Sequence, residues 1–365
     1  MSADDAPRFD FDRPVERRRG AGRGSKFFVL DRSLWDYACS TTTNNRLNLL
    51  TAMLVLSAGT GSDQRLTKWS TKACERYAGM GKPRAALAIQ ELLKARLISL
   101  SPKSTGRYPQ YMFAAAPANS SPIFLPIQLV TGFGSETPVL RRVRETGDEI
   151  LLRMLIDLYG RVQIDATHGV PLEDLRRCAD TSEACRKVVE TGVHAVWSLT
   201  ESGDMWAGGW RAPYAGKKVE ELFWPRIHQL QNIGALWFEP WVFSSDCKDA
   251  EPLFPVGAPD PKGGPLSLSE RTWLVAGLLA ADRPYLLGTH SDKLLVVLPA
   301  HHTAPAVRGV ARLRVEADTP GRRAAFAARA GSIRFWHGEY ERLSADLKIG
   351  RTDRPIRTAA AVAAD

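Results

Sequence analysis

Apolar positions set the reading frame of this chain. Over Asn44 to Ser57, Leu47, Leu50, Leu54 and Val55 recur at helical spacing, which predicts an amphipathic helix broken by Ala58-Gly59-Thr60-Gly61-Ser62. A shorter helix is predicted after Ser70 or Thr71, with Ala73, Tyr77 and Ala78 inward and Gly79 at its end. Gly79 supplies the left-handed backbone that a tight turn between two helices requires. Pro83 suits a first helical position, and Ala85, Ala88, Ile89 and Leu92 then follow at i, i+3, i+4 and i+7. Leu97-Ile98-Ser99-Leu100 and Gln110-Tyr111-Met112-Phe113 read as a strand and its return. The turn-rich segment Ser101 to Pro109 between them carries Lys103 and Arg107. Upstream, Phe27 to Leu30 predicts an entry strand and Asp31 to Ala38 a helix or turn.

The remainder is less regular. Ile123 to Pro126 opens the second half and leads into a glycine-containing loop to Pro138, Val139 to Arg144 reads as a short helix, and Asp148 to Tyr159 as a strong one with Ile150, Leu151, Met154, Leu155 and Leu158 on one broad face. Pro171 to Ala179 and Ser182 to Glu190 read as two helical stretches, Val193 to Trp197 as a strand, and Glu201 to Asp204 as a turn. Lys218 to Phe243 partly echoes the first half: a face of Val219, Leu222, Phe223, Ile227 and Leu230, then Gly234, then the strand Ala235 to Phe238, with Pro225 expected to interrupt the helix. Six of the ten tryptophans (Trp197, Trp206, Trp210, Trp224, Trp237 and Trp241) crowd this region and are expected to be core. Glu251 to Gly264 reads as a boundary, Leu266 to Ala281 as a helix, Lys293 to Leu298 and Val307 to Val315 as strands, and Ala324 to Leu347 as one or two helices. The expected division is a disordered arm 1–26, a domain 27–116, a linker 117–146, a second domain 147–250, a C-terminal α+β segment 251–348 and a disordered tail 349–365.

Charge changes the picture. Lys and Arg total 49 against 40 Asp and Glu, a net +9 with a pI near 9.4, which suits a polyanionic partner. The flexible arm adds Arg17, Arg18, Arg19, Arg23 and Lys26, for loose phosphate contact or for solubility. Cys39, Cys74, Cys178, Cys185 and Cys247 show no CxxC spacing, and with no apolar leader or long apolar run the chain reads as a cytoplasmic protein with reduced thiols.

Helix, glycine turn, helix, strand, basic loop, strand: over Asn44 to Phe113 this order resembles the winged helix-turn-helix DNA-binding proteins, most nearly replication initiators of plasmids and mobile elements that pair two such units. The resemblance implies an α+β, mainly helical fold with tandem winged helix-turn-helix domains and a small C-terminal α+β cap. It implies double-stranded DNA as partner, with self-association on DNA left open. Lys82, Arg84, Leu87, Gln90 and Lys94 lie outside the apolar face of the Pro83 helix, and Lys103, Thr105 and Arg107 lie on the wing. These are the candidate DNA-binding residues. A transcriptional regulator whose second half senses a ligand or dimerises, and a winged-helix scaffold that only pairs proteins, remain as alternatives.

No catalytic or cofactor chemistry is expected. The arm lacks the Gly-Lys-Ser/Thr ending of a phosphate loop, and no HExxH, zinc-finger spacing or nucleophile elbow occurs. His301-His302 are adjacent, so on a strand they would face opposite sides and could not share a metal.

Overall fold

The computed structural model describes residues 27–115, 120–162, 167, 169–171, 185–199, 219–247, 249–288, 293–316 and 318–352. The fold is mixed α+β, with 11 helices and small antiparallel sheets among these residues. Two compact units are distinguished: 1–162 with 222–237 and 313–322, and 163–221 with 238–312 and 323–365.

In the first unit, β1 (Phe27–Asp31) leads into α1 (Arg32–Ser40), which Asp31 caps by accepting from the Ser33 and Leu34 N–H groups. Then come α2 (Arg46–Ala58), β2 (Leu66–Thr67), α3 (Thr71–Ala78), α4 (Lys82–Lys94), β3 (Ile98–Leu100) and β4 (Tyr111–Phe113). β5 (Pro122–Pro126), α5 (Gln128–Thr131), α6 (Val139–Glu145) and α7 (Glu149–Tyr159) follow. The sequence pattern shows one apolar face on α2, yet every residue from Leu49 to Ala58 is buried. The reason is its position, with α3, α4, β1, α6 and α7 packed around it. β2, β4 and β3 form an antiparallel sheet in that spatial order. The stretch read as a linker is structured where it is described: β5 pairs along all of β1, and α5 and α6 pack on α2 and α3. α4 closes with Arg96 in the left-handed region (φ 54°), where Arg96 N–H bonds to Leu93 O and Leu97 N–H to Leu92 O.

The rest of the chain forms β6 (Val170–Pro171), β7 (Cys185–Thr191), β8 (His194–Leu199), α8 (Val219–Asn232), β9 (Leu236–Phe243), β10 (Pro252–Pro255), α9 (Leu268–Leu279), α10 (Tyr285–Gly288), β11 (Leu294–Pro299), β12 (Ala306–Leu313) and α11 (Pro320–Thr352). Its sheets run β10-β9-β12-β6 and β11-β8-β7. Strands of the C-terminal stretch are therefore interleaved with 170–243. The second unit's core gathers Trp197, Phe254, Leu268, Val275, Val297, Trp336 and Tyr340.

Several expectations are corrected here. Ser182 to Glu190, expected as a helix, is strand β7 where described, because it pairs with β8 across the Gly192-Val193 turn. Pro225 does not interrupt α8, which runs on to Asn232. Glu251 to Gly264, expected as a boundary, contributes β10 to a sheet. Trp197 and Trp241 are core, but Trp237, near the start of β9, is 46% exposed. The basic arm, the helix expected beyond Pro171, the turn at Glu201 to Asp204, Cys178, Trp206, Trp210, the side chain of Trp224 and residues 353–365 lie outside the described residues.

Candidate nucleic-acid interface

α4 is amphipathic in the sense that its sequence dictates. Ala85, Ala88, Ile89 and Leu92 are buried, and Lys82, Arg84, Leu87, Gln90 and Lys94 are all exposed. Small alanines on the inner face let the backbone of α4 approach α2 and α3, with which it packs. Leu87 stands out, an aliphatic side chain 45% exposed in the middle of a polar face. The first turn of α4 carries no acidic residue, and Pro83 sits in that first turn.

The turn that delivers α4 is built by three groups. Gly79 takes φ +62°, and its N–H closes α3 on Glu75 O. Met80, only 1% exposed, anchors the turn in the core. Arg144 of α6 then donates from Nε to Ala78 O at 2.6 Å and from a terminal nitrogen to Gly79 O at 2.9 Å. A guanidinium thus satisfies carbonyls that the end of α3 would leave unpaired. Burial lowers the pKa of Arg144 below the ordinary guanidinium range; Glu145 opposes this, and the like charges of Arg141 and Arg84 add to it. Arg144→Ala should lower the melting temperature by an amount corresponding to about 1–3 kcal/mol, the usual effect of losing hydrogen bonds from a charged donor. Thermal denaturation by circular dichroism checks this, and an unchanged melting temperature would show that water replaces the arginine at no cost.

The loop between β3 and β4 is itself ordered. Ser101 N–H bonds to Gln110 O, and Thr105 and Tyr108 exchange two backbone hydrogen bonds across Gly106-Arg107. The Thr105 hydroxyl also accepts from Tyr108 N–H, so Thr105 closes the tip. Lys103, Thr105 and Arg107 are exposed, and the Arg107 guanidinium lies 5.6 Å from the ring centre of Tyr108. The eight candidates thus fall into two groups on one unit, five along the outer side of α4 and three on the hairpin. Arg17, Arg18, Arg19, Arg23 and Lys26 lie outside the described residues. Sequence reasoning missed Arg141 and Arg144. Their only signal was the Arg-Arg-Val-Arg run at 141–144, which read simply as a short helix.

Elsewhere among the described residues, Glu239 gathers several partners. Glu239 accepts from Arg329, from Arg312 at 2.5 Å and from the Trp241 indole at 2.9 Å. Burial works against its charge, but the Arg329 bond and the Arg312 charge outweigh it, so its pKa falls below the usual carboxylate value. A cleft of about 300 Å³ is bordered by Arg271, Tyr340, Glu341 and Ser344. There Arg271 is held by Asp260, and the Tyr340 hydroxyl by Val297 O. His301 and His302 lie in the turn after β11. Among the described residues no group of three or more His, Cys, Asp or Glu is placed to hold a metal ion. No helix among them is long and apolar enough to cross a membrane. Burial raises the Cys39 and Cys74 thiols to about 12, which makes both poor nucleophiles. Compared with protein-family models, curated proteins and solved structures, the chain matches none.

Proposed function

We propose that this protein binds duplex DNA at specific sites through a winged helix-turn-helix made of α2, α3, α4 and the β2-β4-β3 sheet. In this reading α4 enters the major groove, and the hairpin 101–110 is a wing that reaches the backbone or minor groove. The observation that carries it is the outer face of α4: two cations, an aliphatic side chain, an amide and a further cation, all exposed, over an apolar face fixed to two helices. Arg and Gln are the side chains whose paired hydrogen bonds distinguish guanine and adenine in that groove. The net +9 charge supplies the attraction to phosphate.

The role proposed is initiation of replication on a plasmid or mobile element. A second unit of the same kind is supported only by the order α8, β9, β10, since the sheet β10-β9-β12-β6 differs from β2-β4-β3. Selection from a random duplex library tests the function. Enrichment of one motif is expected, with directly repeated copies bound together. A single palindrome bound by a dimer would instead indicate a regulator, and no enrichment would refute site-specific binding.

A further inference from the structure

α6 lies outside the stretch 46–113 that forms the proposed DNA-binding unit, yet it packs on α2 and α3. Its two contacts to the turn between α3 and α4 differ in kind. Arg144 is committed to the carbonyls of Ala78 and Gly79. Arg141, one helical turn earlier, lies across Gly79 itself: a β-carbon placed there would be 2.7 Å from Arg141 Nε and 3.0 Å from its central guanidinium carbon. The positive φ is what requires glycine at position 79, and the Arg141 side chain occupies the space beside it.

The Arg141 side chain remains 42% exposed, and its ion partner Glu145, 2.8 Å away and four residues on, is 45% exposed. Such solvated pairs contribute little. Lys82 and Arg84, both exposed, follow Gly79 within five residues of chain. The turn that delivers α4 is thus bordered by cations from two separate elements, and only Arg144 among them is tied up by backbone.

We propose that α6 is part of the DNA-binding surface, with Arg141 exchanging Glu145 for a backbone phosphate beside the α4 contact. This rests on the function proposed above and extends it to a helix that no helix-turn-helix pattern would include. A phosphate contact carries no sequence information, so it adds affinity without altering the motif. Glu145 acts as its competitor, sitting where the phosphate would go.

The test uses the full chain and a duplex carrying the site selected by the wild type, with affinity measured over a range of salt. Arg141→Ala is expected to bind about three- to ten-fold more weakly at low salt, with a slope of log affinity on log salt shallower by roughly 0.9. Its selected motif should be unchanged. Glu145→Gln leaves the Gly79 contact in place and should bind about two- to five-fold more tightly. If the wild type binds and both variants reproduce its affinity and slope, α6 makes no phosphate contact and this inference fails alone. If the wild type shows no salt-dependent binding, the DNA-binding reading fails and takes this one with it. Should Arg141→Ala not fold, Glu145→Gln decides: tighter binding supports the exchange, and unaltered binding overturns it.

Discussion

Leu92→Asp is expected to unfold the unit that holds α2, α3 and α4. Leu92 is fully buried on the face it shares with Ala85, Ala88 and Ile89, and α4 packs there against helices that are themselves core. A carboxylate at that position has no partner and no route to water. Burying it costs on the order of several kcal/mol, a large share of the roughly 5–15 kcal/mol by which a domain is usually stable. Leu92→Met keeps the volume and should cost less than about 1.5 kcal/mol. Chemical denaturation of the two variants separates the cases. A Leu92→Asp protein that melts like wild type would mean that α4 presents another face to the core.

Arg84→Ala and Gln90→Ala are expected to flatten the selected motif at one position each, whereas Lys103→Ala and Arg107→Ala are expected to weaken binding with the motif intact. All four side chains are exposed, so none should affect folding appreciably. Loss of a paired contact to a base edge removes about 1–3 kcal/mol of discrimination, and loss of a phosphate contact weakens all sequences alike. The hairpin variants avoid Thr105, whose backbone and hydroxyl close the tip, because removing it would loosen the whole wing. If the hairpin variants change the motif and the α4 variants do not, the reading element is the wing.

The helices of residues 44–94 were legible because each carries its own boundary chemistry. Gly79 takes the left-handed conformation that its position demanded, Pro83 sits in the first turn of α4, and the four apolar positions of α4 are the ones buried. β7 was not legible. Its residues Cys185 to Thr191 alternate only weakly between exposed and half-buried, with a register shift between Lys187 and Val189, so the pattern lacks the period of two that marks a strand. Pairing with β8, a tertiary effect, decides it. α8 misled in the opposite direction: Pro225 is the seventh of its fourteen residues, and the helix continues through it although a proline there removes one backbone donor. The contribution of α6 was hidden because Arg144 reaches carbonyls 65 and 66 residues earlier in the chain, and no local window contains both ends of that contact.

The most direct test of the account is the affinity of the wild-type protein for duplex DNA as salt is raised. Several phosphates neutralised by lysine and arginine release as many counterions, so log affinity should fall linearly with log salt, by roughly 0.9 for each contact. A slope of several units is the predicted result. Binding that ignores salt, or no binding to duplex DNA even at low salt, would contradict the central claim and leave the outer face of α4 to a protein partner.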